Sequence, residues 1–347
     1  MIKNSALKLD CKIQINVSRQ INFFLRFILL LLLFCVLQPV NAENPDASID
    51  EALDWLKKTA LAPRSHNYKG TFIYYADRHM ETSHITHLVD ENGEHEKIEV
   101  LDGIPRIVYR NNDKIKCYLP ESKKIYTEQR WFRKFFPDLL PQPFSDISKN
   151  YHVTMVDRER VAGYECQSVL LTPRDNLRYG HKLWIHVDTG LLLKVAVLDT
   201  DEIIEQFAFA QLEIDSDISK ELIKPEQSIN EDDWKTTNLQ TIVLKDGELD
   251  WSIKDLPSGF RKVIEMKRNL TGDKVLVDHI ALSDGLATVS VFIEPITKNS
   301  VQPVPGFYSS RGAINIYVRT FENHKITTVG EVPLEAIKQI GDSVVNQ

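Results

Sequence analysis

Residues 182–214 read KLWIHVDTGLLLKVAVLDTDEIIEQFAFAQLEI, and this stretch decides the fold class. It holds three apolar runs separated by short polar turns, the first of which is Asp188-Thr189-Gly190. Runs of this kind extend from Tyr68 to Asp215, eleven in all, with no intervening helical pattern. Because parallel strands need long crossover connections, such closely spaced strands predict an antiparallel meander.

One amphipathic helix is predicted before these strands. Ser48-Ile49-Asp50-Glu51 matches a capping box at its start, and Pro63 marks its end. Its apolar face consists of Ile49, Ala52, Leu53, Leu56 and Ala60. A single helix beside a large curled sheet is expected to plug that sheet.

The composition changes after Asp215. Residues 216–237 are polar and acidic and include Pro225, which is typical of a linker. Residues 238–347 hold five further strand-like runs, and Pro333 opens a closing helix. The apolar stripe of that helix consists of Leu334, Ile337, Ile340 and Val344. The sequence therefore predicts an α+β protein with a larger domain at 43–215 and a smaller α+β domain at 238–347.

The N-terminus has the pattern of a signal peptide. A basic region ends at Arg26, an apolar run covers residues 27–37, and Val40-Asn41-Ala42 offers small residues for cleavage after Ala42. We therefore expect residues 1–42 to be removed on export to the periplasm, with an uncleaved anchor as the alternative. The whole chain has a formal net charge of −7, and residues 43–347 carry 37 basic and 48 acidic residues. Such an acidic body argues against a nucleic-acid partner.

Two cysteines remain after the predicted cleavage, Cys117 and Cys166. An oxidising compartment permits a disulfide between them. The sequence does not show that their Cα atoms come within bridging range, so a disulfide and two buried thiols both stay open.

An aromatic insert interrupts the meander. Residues 129–148 read QRWFRKFFPDLLPQPFSDIS, and a segment this apolar must cover something apolar or meet a partner. Rings suit acyl chains, and cations suit phosphate or carboxylate groups. The candidate lipid-binding residues are Arg130, Trp131, Phe132, Arg133, Phe135, Phe136, Leu139 and Leu140. The alternative is a loop that closes the core of the domain itself.

A second aromatic cluster lies at residues 305–312, which read PGFYSSRG. Phe307, Tyr308 and Arg311 have the composition of a protein contact site and are the candidate partner-binding residues. A purely structural loop explains the same residues.

Catalytic and metal-binding patterns are weak. Asp188-Thr189-Gly190 resembles the triplet of aspartic proteases, but that chemistry needs two such carboxylates and the sequence holds one such triplet. We therefore interpret it as a tight hairpin turn between two apolar strands. His84 and His87 are three apart on a strand and point to opposite faces, so we expect solvated histidines rather than a metal site. Short motifs for nucleophiles, phosphate loops and zinc proteases are missing. We therefore expect a binding protein that is not an enzyme and needs no cofactor.

Five segments together resemble the MucB/RseB family of periplasmic regulators of the envelope-stress sigma factor. They are DGIPRIVYRNNDKIKCYLPESKKIY (102–126), RVAGYECQSVLLTPRDNLRYGHKLWIHVDTGLLLKVAVLDTDEIIEQF (160–207), LPSGFRKVIEMKR (256–268), LSDGLATVSVFIE (282–294) and VGEVPLEAIKQI (329–340). The similarity covers nearly the whole of the predicted mature chain, in order.

The resemblance implies a larger domain similar to the lipoprotein carriers LolA and LolB, which is an unclosed antiparallel β-barrel plugged by helix. It implies binding to the periplasmic domain of a membrane-spanning anti-sigma factor, RseA or MucA, and shielding of that protein from a site-1 protease. Release by lipid or lipopolysaccharide and self-association into a homo-oligomer are also implied. The aromatic insert would then guard a lipid cavity, and the smaller domain with the linker would contact the anti-sigma factor. A periplasmic lipid or lipoprotein carrier is the alternative function.

Overall fold

The structure is a computed structural model that describes residues 45–129, 136–137, 139–140, 147–225, 230–270, 275–297, 304–309 and 312–347. Residues Asp46–Gln347 belong to one compact unit. The predicted signal peptide and its cleavage site after Ala42 lie outside the described residues. Within the described ranges, no helix has the length and apolar character needed to cross a membrane.

Three α-helices occur in the described part of the chain: α1 (Pro45–Leu61), α2 (Ile147–Asn150) and α3 (Leu334–Asp342). Short 3-10 helices cover Ala62–Arg64, Pro120–Ser122, Lys220–Ile223 and Glu231–Asp233. Because α1 already begins at Pro45, the predicted capping box at Ser48 lies inside the helix rather than at its start.

The larger sheet has 12 strands among the described residues. They are β1 (Tyr68–Ala76), β2 (His79–Asp90), β3 (Gly93–Val100), β4 (Ile107–Asn111), β5 (Lys114–Leu119), β6 (Lys124–Gln129), β7 (Tyr151–Val161), β8 (Tyr164–Pro173), β9 (Gly180–His186), β10 (Leu192–Asp199), β11 (Glu202–Ile214) and β12 (Lys235–Asn238).

Their order in the sheet is β12-β6-β5-β4-β3-β2-β1-β11-β10-β9-β8-β7. The first eleven strands pair antiparallel, as the closely spaced runs predicted, while β12 joins β6 in parallel. The sheet consists of two meanders, β1–β6 and β7–β11, joined where β1 pairs with β11. Since β12 and β7 end the sheet without pairing with each other, it is an unclosed sheet.

Helix α1 packs on the core face of this sheet. Its Ala52, Leu56 and Ala60 are buried in one cluster with Ile185 and Leu193 of the sheet. Full burial of a leucine side chain contributes about 2 kcal/mol of transfer free energy. The helix therefore plugs the sheet, as its apolar face predicted.

In the part of the chain that the structure describes, the smaller sheet has 7 strands. They are β13 (Thr241–Leu244), β15 (Arg261–Arg268), β16 (Val277–Ser283), β17 (Thr288–Pro295), β18 (Gly306–Ser309), β19 (Asn315–Phe321) and β20 (His324–Gly330), in the order β13-β15-β16-β17-β20-β19-β18. A separate pair consists of β14 (Trp251–Ile253) and β21 (Val344–Asn346).

Helix α3 covers one face of the smaller sheet, and its Ile337 and Ile340 are buried beside Val289 and Val291. Val344, predicted on the stripe of this helix, instead starts β21, because the helix ends at Asp342. The side chain of Val344 is still fully buried in the same core.

A crossing segment, residues 230–244, connects the two sheets. Its Trp234 ring packs edge-on against Tyr118 with ring centroids 5.8 Å apart. Glu231 accepts a hydrogen bond from the Tyr118 hydroxyl and one of 3.0 Å from Lys116 Nζ. β12 then pairs with β6, and β13 pairs with β15. The described end of the predicted linker is therefore attached to the larger sheet.

Candidate binding surfaces

The described part of the aromatic insert lies inside the larger sheet. Phe136 is 4% exposed, and its ring centroid is 5.5, 5.6 and 5.2 Å from those of Phe72, Phe207 and Phe209. Leu140 is also buried in this core, and Leu139 packs against it. These three side chains therefore belong to the apolar core of the larger sheet. The other lipid-binding candidates, Arg130, Trp131, Phe132, Arg133 and Phe135, lie outside the described residues.

An apolar row continues from this core across β2 to β6. Successive cross-strand partners in it are Ile85, Ile98, Val108, Cys117 and Tyr126. Directly opposite residues share one face of a sheet. Ile85 is fully buried, whereas the other four side chains are half-buried. The core face of the sheet therefore offers partly exposed apolar surface toward its β6 end.

A polar row lies beside the apolar row on the same face, where His87, Glu96 and Arg110 are cross-strand partners. Arg110 donates to Glu94 at 3.2 Å and to Glu96 at 3.4 Å. Burial alone would raise the pKa of Glu96, but the neighbouring His87 and the charge of Arg110 lower it to about 2. Two carboxylates thus neutralise the guanidinium, so this part of the interior is not an anion site.

His87 contradicts the expectation of solvated histidines. Its side chain is fully buried, stacks on Tyr68 with ring centroids 4.5 Å apart, and places Nε2 2.7 Å from the carbonyl oxygen of Pro63. The prediction was wrong because spacing along one strand does not show what covers each face. No cluster with metal-ligand character occurs among the described residues.

The Asp188-Thr189-Gly190 triplet is the turn between β9 and β10. The Asp188 side chain is 85% exposed, and Thr189 Oγ1 lies 2.8 Å from His186 Nδ1. Gly190 has φ of +80°, and an added Cβ would lie 2.6 Å from Cγ of Lys58. The triplet therefore has the geometry of a tight turn packed on α1.

Both cysteines are free thiols, so the disulfide that the sequence left open is not formed. Cys117 is on β5 and Cys166 is on β8, and seven strands lie between β5 and β8 in the order of the sheet. Burial raises the pKa of the Cys166 thiol to about 11, which keeps it protonated at neutral pH.

Phe307 and Tyr308 lie on β18, the last strand of the smaller sheet. Their side chains are 47% and 42% exposed. The Phe307 ring lies 5.0 Å from that of Tyr317, and the Tyr308 hydroxyl donates a 2.7 Å hydrogen bond to the carbonyl of Val304. Arg311, the third partner-binding candidate, lies outside the described residues.

The chain that follows β18 is attached to the larger sheet. The amide of Gly312 donates to Asp77 at 2.9 Å, and the amide of Ala313 donates to Glu205 at 2.9 Å. Gly312 has φ of +64°, and an added Cβ would lie 2.3 Å from Oε2 of Glu205. Only glycine combines this backbone conformation with such a close approach.

Hydrogen bonds and ion pairs around Arg178, here called the arginine cluster, join the two sheets. The sequence patterns did not indicate this cluster. Arg178 donates to Asp175 at 3.0 Å on its own side and to Asp284 at 2.7 Å in the β16–β17 turn. The Tyr151 hydroxyl lies 3.1 Å from the same Asp284 oxygen. The side chains of Arg178 and Asp284 are both fully buried. Burial raises the pKa of Asp284, although main-chain hydrogen bonds and Arg178 act against that rise.

Comparison with known proteins places this chain among its relatives. The model of the MucB/RseB N-terminal domain matches residues 51–227, and that of the MucB/RseB C-terminal domain matches residues 245–345. The chain belongs to the MucB/RseB family. The sigma factor AlgU regulatory protein MucB of Pseudomonas aeruginosa is 29% identical over 311 residues, which cover 86% of this chain and 92% of that protein.

Solved MucB structures share the architecture. The complex of Pseudomonas aeruginosa MucA and MucB matches with a TM-score of 0.65 and 26% identity, over 86% of this chain and 99% of the matched chain. MucB in complex with MucA(peri) matches with a TM-score of 0.65 and 25% identity, over 85% and 99% of the two chains.

The candidate surfaces fall in different parts of this MucB/RseB chain. The apolar row and Phe136 lie within the match to the N-terminal domain, whereas Phe307 and Tyr308 lie within the match to the C-terminal domain. The amino-acid composition of residues 305–312 identified Phe307 and Tyr308 as candidates. It did not identify the apolar row, because no single strand carries it, and only the pairing of five strands assembles it.

Proposed function

We propose that this MucB/RseB-family protein is a periplasmic regulatory protein that binds the periplasmic domain of a membrane-spanning anti-sigma factor. By binding the anti-sigma factor, this protein shields that partner from site-1 proteolysis and so restrains the envelope-stress sigma factor. The observation that carries the proposal is the similarity, over 86% and 85% of this chain, to MucB in its complexes with MucA. The protein acts by binding and not by catalysis.

Binding alone is sufficient for this regulation. If only the free anti-sigma factor is cleaved, the free fraction falls as 1/(1 + [L]/Kd), where [L] is the concentration of this protein. At about 100 times Kd, cleavage is slowed about a hundredfold, which corresponds to about 2.7 kcal/mol.

We assign partner binding to the smaller domain, residues 238–347, with the linker at 216–237. Half-exposed aromatic side chains, such as Phe307 and Tyr308, are common at the centres of protein interfaces. Their strand is held in place by β19 and by the hydrogen bonds that Gly312 and Ala313 donate to the larger sheet. A surface held in this way loses little conformational entropy on binding.

We assign lipid sensing to the larger domain, residues 43–215. The apolar row and the Phe136 cluster supply apolar surface, and the neighbouring Arg110 is already paired with Glu94 and Glu96. An acyl chain of about 12 carbons offers about 10 kcal/mol of gross transfer free energy. If a third of that free energy favours a conformation that binds the anti-sigma factor poorly, partner binding weakens roughly a hundredfold.

The test is a cleavage assay with purified mature protein, the periplasmic segment of the anti-sigma factor and a site-1 protease. We expect protection that rises with the concentration of this protein, and loss of protection when lipopolysaccharide is added. Cleavage at the same rate with and without the protein at micromolar concentration contradicts the proposed function.

A pair of variants tests the lipid site separately. Val108→Asn places an amide in the apolar row, whereas Val263→Asn changes a 44%-exposed valine on β15 of the smaller sheet. We expect Val108→Asn to protect the partner but to need at least about tenfold more lipid for release. Val263→Asn should respond to lipid as the wild type does. An unchanged lipid response in Val108→Asn excludes the apolar row as the lipid site.

A further inference from the structure

Among the residues that the structure describes, β18 forms one open edge of the smaller sheet. Within the described residues it pairs on one side only, with β19. Alternate residues of a strand direct their main-chain N–H and C=O groups to opposite edges, so about two of its four residues face outward. An edge of this kind is a template for another strand.

The side chains of β18 do not protect this edge. At one end of the larger sheet, β7 carries the exposed charged run 157–160, and at the other end β12 carries the exposed Lys235. Charged side chains are a common device against unwanted strand pairing. β18 reads GFYS and has no charged side chain, and its length of 4 residues limits how much chain it can pair with.

β13, which ends the smaller sheet on the side away from β18, also has no charged side chain, and its Ile242 and Val243 are 49% and 40% exposed. It differs from β18 because it is part of the crossing segment, which is hydrogen-bonded to both sheets. Leu239 donates to the carbonyl of Thr127 at 2.8 Å, and the carbonyl of Gln240 accepts from Asn269 at 2.9 Å. β13 therefore serves as a matched control for β18 within the same sheet.

Aromatic side chains stand on both faces of the β18 edge. Consecutive residues of a strand point to opposite faces, and Phe307 and Tyr308 are both close to half exposed. Tyr317 holds the Phe307 ring, and the Val304 carbonyl holds the Tyr308 hydroxyl. A strand added beside β18 would bury both rings against its own side chains.

We propose that β18 takes up an extended segment of the anti-sigma factor as a further strand of the smaller sheet. The main-chain groups of a sheet edge are complementary to another extended polypeptide, which sets this surface apart from a lipid site. The relative MucB has been solved with a polypeptide partner, MucA. This inference rests on the proposed function and adds the mode of recognition.

The experiment is hydrogen exchange on the full mature protein, with and without the periplasmic segment of the anti-sigma factor from the same organism. We expect slower exchange of about two amides in β18 and little change in β13. In parallel, Tyr308→Lys should weaken binding of the labelled segment about tenfold, and Ile242→Lys less than about twofold.

The outcomes separate the inference from the function. If the wild type does not bind the segment, the proposed function fails. If it binds while the β18 amides stay unprotected, or if Tyr308→Lys folds and binds as the wild type does, strand addition at β18 is overturned and the function stands. Protection of β18 that rises with the protein's own concentration, without the segment, identifies a second copy as the occupant and also overturns the inference. Should Tyr308→Lys fail to fold, the exchange of the wild type decides alone.

Discussion

Removal of the Arg178 guanidinium should be among the most destabilising single changes in the protein. Arg178→Met keeps the aliphatic stem but removes the donors to Asp175, to Asp284 and to the carbonyl of Ser258. The Asp284 carboxylate then stays fully buried without a cation. Loss of one partner of a buried ion pair costs about 3–5 kcal/mol. We expect that decrease in the free energy of unfolding at neutral pH.

The effect should depend on pH with a defined sign. Burial already raises the pKa of Asp284 in the folded wild type, and loss of Arg178 removes a charge that lowers it. A carboxyl group whose pKa is raised by folding contributes stability below its unfolded pKa and loses it as the pH rises through the folded pKa. The difference in stability between Arg178→Met and the wild type should therefore narrow as the pH falls from about 7 toward the unfolded pKa of an aspartate, about 3.9.

A surface pair provides the matched control. Arg158 donates to Glu165 at 3.1 Å, but the two side chains are 57% and 55% exposed. Exposed pairs contribute about 0–1 kcal/mol, so Arg158→Met should change stability by less than about 1 kcal/mol. The assay is equilibrium urea unfolding followed by tryptophan fluorescence and circular dichroism. If Arg178→Met and Arg158→Met lower the free energy of unfolding by the same small amount, the arginine cluster does not hold the two sheets together.

Three further changes test other parts of the fold. Gly312→Ala should lower the free energy of unfolding, measured by thermal melts, by more than about 1 kcal/mol because Gly312 has a positive φ and a carboxylate beside it. Gly163 also has a positive φ but open space around it, so Gly163→Ala should lower the free energy of unfolding by less. Equal losses in the two variants would show that the close approach of Glu205 to Gly312 does not matter. Leu56→Ala in α1 should cost about 2–5 kcal/mol in urea unfolding, and a loss below about 1 kcal/mol would show that the helix does not plug the sheet. Because folding depresses the pKa of Glu96 from 4.5 to about 2, its contribution is present above 4.5 and is lost as the pH falls toward 2. Glu96→Gln should flatten that part of the stability curve, and an unchanged pH profile would contradict the role of the polar row.

Local patterns predicted most of the secondary structure. The eleven runs between Tyr68 and Asp215 all form strands, because apolar runs between turn residues specify extended chain without reference to distant contacts. Apolar runs do not mark the ends of solvated strands: β7 extends to Val161 through the exposed charged run 157–160, which has no apolar signal. The prediction placed Val344 on the stripe of α3, whereas it starts β21, because a buried valine fits a helix stripe and a strand equally well.

The candidate sites were predicted less completely than the strands. Phe307 and Tyr308 stood out by composition, but their position on an edge strand follows only from the order of the smaller sheet. Asp284 lies in the turn between β16 and β17, and its pairing with Arg178 depends on a contact between residues 106 positions apart, so no local pattern indicates it. His87 was expected in solvent because its buried surroundings come from Tyr68 and Pro63, on other elements.

The sequence by itself determined the antiparallel strands, the helix that plugs them, the two-part organisation and the family, because these depend on local periodicity and on the order of segments. Only the tertiary structure decided which strands end each sheet, which apolar residues form a continuous row and which charges meet in the interior. The physical reason is that pairing and burial depend on residues far apart in the chain. A short stretch such as GFYS has no property of its own that makes it an open edge until a neighbouring strand occupies its other side.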